Sequence, residues 1–460
     1  MDRENLDRRM LLAGVGLVGA AAALSRPATA GQLNPPPGPV APTQATPVQS
    51  LAGDATSQYI ISQTGAYVLT GNIQSVAGKD GIAINASGVT LDLAGFTMSD
   101  ALHTNTAIAS LSASSVTIRN GHVEGWATGI RNTAGGLWAV SGLNIRNVAG
   151  KAITLANAAT VRDVNVSNCQ DGILLEIFGY TAAENCRVTT LSAASAGIAS
   201  GHATNCDVNA VSGGLGGILY GINCIAASNC MVQNISAQAS TMGINCTSAS
   251  ECTVLNVTGP NAGGGINAAG LVSHCTVQFI GSQGGSNFGI TCSSAVGCQV
   301  AGVQQSLPGG GQCWGIRGGE ITACTVSQVI GNTGQDTAGI ATSEGLASNC
   351  YVSNVANIGS GGAYGIQLLG SRSSCNGCNV SIFNSAGVGI FGIDARIADN
   401  RVQGGATGIQ AIGRSFVVGN FVAQAPTSYN YDVATTIGPV TFGGGVIAVG
   451  TIASANFYVA

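Results

Sequence analysis

Residues 221–257 read GINCIAASNCMVQNISAQASTMGINCTSASECTVLNV and state one two-part phrase twice. Gly221-Ile222-Asn-Cys224 is followed by Cys230-x-Val232-x-x-Ile235. After 22 residues Gly243-Ile244-Asn-Cys246 is followed by Cys252-x-Val254-x-x-Val257. Within each part the apolar residues alternate, which puts their side chains on one face of a strand. The x-x pair then breaks the alternation and marks a bend into another short strand. Each phrase therefore predicts two or three short strands separated by Gly, Ser, Asn and Thr turns.

The phrase extends in both directions. Gly-Ile or Ala-Ile recurs with its Ile at 82, 108, 130, 153, 173, 198, 222, 244, 266, 290, 316, 340, 366, 390 and 409. The mean spacing is about 23 residues, inside the range that signals solenoids. The second part, C-x-V-x-x-[VIL] with one Phe in the last slot, has its Cys at 186, 206, 230, 252, 275, 298, 324, 350 and 378. Leu143-x-Ile145-x-x-Val148, Val164-x-Val166-x-x-Cys169 and Phe416-x-Val418-x-x-Phe421 fit the same slots in flanking coils. Helical periodicity is absent. The Leu/Asn consensus of leucine-rich repeats is missing, and a β-propeller needs longer repeats of four strands. What remains is an all-β fold: a single-stranded parallel β-helix of about fifteen coils, three strands per coil. At about 4.8 Å per coil the rod is on the order of 70 Å long. Its open ends need caps against edge pairing, and residues 53–75 and the tail 431–460 are the expected ones.

The segment GIAINASGVTLDLAGFTM, residues 81–98, resembles the first coils of many secreted bacterial β-helix repeat proteins. Residues 53–430 as a whole are similar to the pectin-lyase-like right-handed parallel β-helix superfamily. The resemblance implies a right-handed coil. It does not imply one reaction, because this superfold hosts lyases, hydrolases, epimerases and non-enzymes.

Charged residues make up 8% of the 460-residue chain, aromatics 5% and hydrophobics 45%, with 69 Gly and a formal charge of −4. That composition supports a large core. It argues against a nucleic-acid partner, which needs a basic footprint. Arg8 and Arg9 precede an apolar run from Met10 to Leu24, and Ala28-Thr29-Ala30 is an A-x-A cleavage site. The run is short for a membrane anchor, at about 20 residues required, so residues 1–30 read as a cleaved export signal. The string RRMLL resembles a twin-arginine signal. The expected location is periplasmic, extracellular or cell-surface, with no membrane span in the mature chain. Residues 31–52 are Pro-rich and read as a linker.

Fifteen Cys in an exported chain usually mean disulfides. Here nine share one slot in successive coils and should form an inward ladder. Equivalent Cβ atoms in neighbouring coils lie about 4.8 Å apart, against about 3.8 Å for a disulfide. The twin-arginine resemblance implies export of a chain already folded in a reducing cytosol. The thiols then act as small core residues. Cys375-x-x-Cys378 is the pair best placed for a disulfide. No second pair stands at zinc-ribbon spacing and the four His are scattered, so no metal site or cofactor is expected, with calcium the one ion left open.

Charge is uneven. Between Val188 and Ile316 only Asp207 and Glu251 are charged, whereas residues 92–176 hold eleven charged residues with Trp126 and Trp138. Val89-Thr-Leu-Asp92, Val116-Thr-Ile-Arg119 and Leu143-Asn-Ile-Arg146 share one pattern. In one register, Asp92, Arg119 and Arg146 would form an outward stack. Its Arg forks would bind carboxylates or sulfates, and Trp126 or Trp138 could stack on a sugar. In lyases of the resembled superfamily an outward Arg often serves as base beside an acidic calcium cluster, which makes Arg119 and Arg146 the catalytic candidates. The acidic cluster is missing, and the bland alternative is an Asp92–Arg119 surface ion pair with Arg146 solvated. Asp394, Arg396, Asp399 and Arg401 read as a surface salt-bridge network. Two functions follow as expectations. One is a non-catalytic exported protein contacting polysaccharide or the cell envelope. The other is a lyase acting on an acidic glycan.

Overall fold

The computed structural model describes residues 45–192, 195–213, 217–308, 311–383, 386–432, 434–438, 440–442, 445–447 and 456–459. The expected signal segment 1–30 and residues 31–44 of the Pro-rich stretch lie outside the described residues.

The chain from Ala45 is an all-β parallel solenoid of about 17 turns, with one short 3-10 helix at Val48–Ser50. Each coil contributes to three parallel ladders. The first contains the Gly-Ile strands. All fifteen Ile of the repeat are register partners of the next, from Ile82↔Ile108 to Ile390↔Ile409. The column continues by one coil at each end, where Tyr59 pairs Ile82 and Tyr429 pairs Ile409. The repeat undercounts the coils because Tyr fills the Ile slot in these two. Both Tyr are partly buried against the core, where a large ring covers an open end.

The preceding Gly is imposed by the narrow lumen. A Cβ at Gly289 would lie 2.6 Å from the Gly315 oxygen, and one at Gly339 would lie 2.7 Å from the Gly365 oxygen. The remaining room is taken by the Val of C-x-V from the same coil: Val232 faces Gly221, Val254 faces Gly243 and Val326 faces Gly315. The two parts of the phrase thus meet across the lumen, which is why they recur together.

The second and third ladders meet at a corner in the left-handed region. Asn185, Asn205, Asn229 and Asn349 have φ of 51–53°, a conformation Asn tolerates better than most residues. The next residue is the ladder Cys, turned inward and at most 2% exposed at all nine positions. Its thiol donates to the carbonyl two residues back, as in Cys186 Sγ to Glu184 O (3.3 Å) and Cys252 Sγ to Ser250 O (3.2 Å). In the last coils the slot is filled by buried Asn400 and Asn420 rather than by the Phe416 phrase. Phe416 lies in the second ladder. All fifteen Cys are buried and free.

The N-terminal boundary falls earlier than Gly53. Thr46–Pro47 pairs with Tyr67–Val68, and Val48 is fully buried. At the other end Asn456–Val459 adds parallel to Phe421–Ala423, and Val440–Phe442 pairs antiparallel with Gly445–Ile447. No helix among the described residues is long and apolar enough to cross a membrane.

Candidate functional site

Asp92 and Arg119 are register partners in the second ladder, and Arg119 Nε donates to Asp92 Oδ2 at 2.9 Å. Arg146 does not join them. The partner of Arg119 in the next coil is Ser141, while Arg146 stands in the third ladder opposite Glu124, to which its Nη2 donates at 2.8 Å. The expected three-residue stack is corrected to two ion pairs on different faces. The cause is local. Ser115–Glu124 and Leu137–Arg146 each run through both ladders and carry two alternating phrases in tandem. Leu143-Asn-Ile-Arg146 looks like Val116-Thr-Ile-Arg119 but pairs with Gly121-His-Val-Glu124.

Trp126 and Trp138 are 0% and 2% exposed and belong to the core. Their indoles donate inward, Trp126 Nε1 to Met98 O at 3.0 Å and Trp138 Nε1 to Ala113 O at 3.4 Å. Neither ring has a face open to a sugar. The ion pairing continues with Arg162–Glu184 and Arg187–Asp207, so each of these four Arg already faces a carboxylate in a neighbouring coil. Exposed pairs of this kind contribute ~0–1 kcal/mol each. Asp394 and Asp399 are corner residues with φ of 50° and 56°, Asp394 accepts from the Arg414 amide, and Arg401 lies over Phe421. Among the described residues no ion pair joins that cluster, and no group of three or more His, Cys, Asp or Glu could hold a metal ion.

The concave surface lies on the third ladder. The second residue of the x-x bend is left-handed at Asn168, Thr190, Ala210, Asn234, Asn256, Phe279, Gln328 and Asn354, with φ of 52–57°. This repeated bend hollows the outer side of the face, and three recesses follow it. The largest, of about 950 Å³, includes Gln74, Asp100, His103, Glu124, Asn147 and Gln170. Asp100 is nearly buried and accepts from Ser75 Oγ (2.7 Å), Leu102 N (2.9 Å) and Thr104 N (3.1 Å). Burial pushes its carboxyl up, but these hydrogen bonds outweigh it and hold the group below the usual carboxylate range. It is an anion that organises a loop. The second recess, of about 510 Å³, shares Asn168 and Ser192 with the first and continues to Asn234 and Ser236. The third, of about 500 Å³, runs from Phe279 past Gly302, Gln304, Gln328 and Asn354 to Phe383. Neither of the latter two has a charged lining residue.

The first ladder carries a second feature outside the lumen. The residues two before each Ile form an outward column, including Tyr220, Met242, Phe288, Trp314 and Tyr364. Trp314 is 8% exposed in a cluster with Ala338 and Ala341 against which Phe288 and Tyr364 pack, and the Arg317 guanidinium sits 4.4 Å from its ring centre. Its faces are therefore occupied, and the cluster braces the outer sheet. Phe288, Trp314 and Tyr364 are visible in the sequence as aromatics two residues before the repeat Ile, whereas Phe279 falls in the x-x gap that the repeat leaves open.

These features define a parallel β-solenoid with a hollowed third face, two of whose three recesses have no charged lining residue. No family model matches the chain, and no curated protein matches it. Among solved structures it is similar to the A-module of the Azotobacter vinelandii mannuronan C-5 epimerase AlgE6, at 10% identity over 83% of this chain and 88% of that one, with a TM-score of 0.14. It is also similar to PfbA, a surface adhesin of Streptococcus pneumoniae, at 8% identity over 85% and 91%, with a TM-score of 0.16. At these TM-scores neither carries an argument about what this chain does.

Proposed function

We propose that this protein is an exported, non-catalytic β-helix repeat protein of the right-handed, pectin-lyase-like type that contacts polysaccharide or the cell envelope along its third face. The observation that carries the reading is the hollow of that face. It offers Asn, Ser and Gln side chains over many coils, and hydroxyl-rich polymers are bound by such groups. At about 4.8 Å per coil, the run suits an extended chain lying along the solenoid. The lyase reading needed adjacent Arg forks, and it loses its support because Arg119 and Arg146 occupy different faces and each meets a carboxylate.

The test uses the exported chain, with its N-terminus sequenced, on a glycan array with an ultraviolet assay for unsaturated sugar products. The expected result is a mature chain beginning at Gly31, binding to at least one polysaccharide, and no unsaturated product. Accumulating unsaturated product would restore the lyase. Failure to bind any glycan would remove polysaccharide as the partner.

A further inference from the structure

We infer that the recess between Phe279 and Phe383 is a binding site for an uncharged oligosaccharide, with sugar rings stacking on the two aromatics and hydroxyls bonding to Gln304, Gln328 and Asn354. This rests on the reading of the protein as a polysaccharide binder and assigns that role to one place and one class of sugar.

Phe279 is the first observation. It is an aromatic residue at φ 57° in a column otherwise filled by Asn, Thr, Ala, Gly and Gln, and it is 59% exposed. A bulky residue in the left-handed region is strained, and such strain concentrates at functional positions. Burial does not offset it here, because the ring stands in solvent. Gly302 in the next coil, at φ 70°, leaves the space beside the ring open, since a Cβ there would come within 3.3 Å of Phe279 Cδ1. Phe383, 75% exposed, closes the other end. The two rings are four coil steps apart in sequence order, roughly 19 Å at 4.8 Å per step.

The amides between them are the second observation. Further up the same face the amides bond to one another from coil to coil: Asn234 Nδ2 donates to Asn209 Oδ1 at 2.9 Å, and Asn256 Nδ2 donates to Asn234 Oδ1 at 3.1 Å. Gln304, Gln328 and Asn354 are exposed, and among the described residues none makes a side-chain hydrogen bond within the protein. Three amides thus present unengaged donors and acceptors between two exposed rings. The absence of any charged lining residue selects against an anionic sugar, which would leave its carboxylates without partners.

The test is calorimetric titration of the full chain with cellohexaose, mannohexaose, xylohexaose and a polygalacturonate oligomer. Variants are Phe279→Asn and Phe383→Ala. Asn already fills this column at Asn234, Asn256 and Asn354, so Phe279→Asn should keep or raise the melting temperature while removing the ring. The expected result is binding of at least one neutral hexasaccharide, weakened about tenfold or more in each variant. Neutral binding unchanged in both variants would overturn this site and leave the polysaccharide reading standing. Binding of polygalacturonate alone would overturn the uncharged class. If the wild-type chain binds none of the four and no glycan on the array, the site and the functional reading fall together.

Discussion

Gly315→Val should destabilise the solenoid by about 3 kcal/mol or more. The added Cβ would overlap Val326 Cγ1 and lie 2.5 Å from the Gly339 oxygen, with Val329 Cγ2 at 3.1 Å. Two of these contacts are core side chains and one is backbone of the next coil, so no flexible group can yield. Gly71→Ala is the internal control, because nothing lies within 4 Å of its Cβ position and its φ is ordinary. It should shift stability by no more than about 0.5 kcal/mol, and reduced chain entropy in the unfolded state favours a gain. Urea unfolding of both variants provides the comparison. A Gly315→Val protein as stable as the parent would mean that the Gly column does not face the lumen.

Cys275→Asp should be comparably severe, at about 3–5 kcal/mol, because it sets an uncompensated carboxylate in a sealed column. Cys275 is 1% exposed, accepts from the Cys252 amide at 3.4 Å and donates to Ser273 O at 3.3 Å. Cys275→Asn should cost much less. Asn occupies the same slot at Asn400, where its Oδ1 accepts from Cys378 N at 2.8 Å and its Nδ2 donates to Cys375 O at 3.1 Å. The contrast isolates charge from size. Equal losses in the two variants, measured by the same unfolding experiment, would show that space rather than desolvation governs the slot.

The residues that were legible in sequence are those with no freedom. The Ile column repeats because each Ile must enter the lumen, and the Gly before it because no Cβ fits. The C-x-V phrase repeats because its Val fills the space that Gly leaves. Where physics allows substitution, the pattern blurred. Tyr59 and Tyr429 take the Ile slot at the ends, where a ring can overhang, so two coils were not counted. Asn400 and Asn420 take the Cys slot through main-chain hydrogen bonds and drew no notice. The site reading failed for a different reason. An alternating apolar phrase ending in a charge is the same on any face of a solenoid. Only the corner residue between phrases, such as Asn120 at φ 58° or Gly142 at φ 61°, tells which ladder follows. Arg146 therefore shares the phrase of Arg119 but stands one ladder later. Trp126 and Trp138 stand among charged residues in the sequence, yet both take inward positions. Phe279 was hidden by falling in the x-x gap, which the repeat leaves unspecified.

One register turns the Cys and Ile columns inward and so leaves the bend of the third ladder facing outward. Counting thiols before and after unfolding tests it most directly. All fifteen Cys are buried and free, so a reagent in solution reaches none of them while the chain stays folded. Alkylation of the native protein should be slow at every Cys, and alkylation in denaturant without reductant should label all fifteen. Several Cys reacting in the native protein as fast as in denaturant, or Cys lost to disulfides in the unreduced chain, would contradict the register.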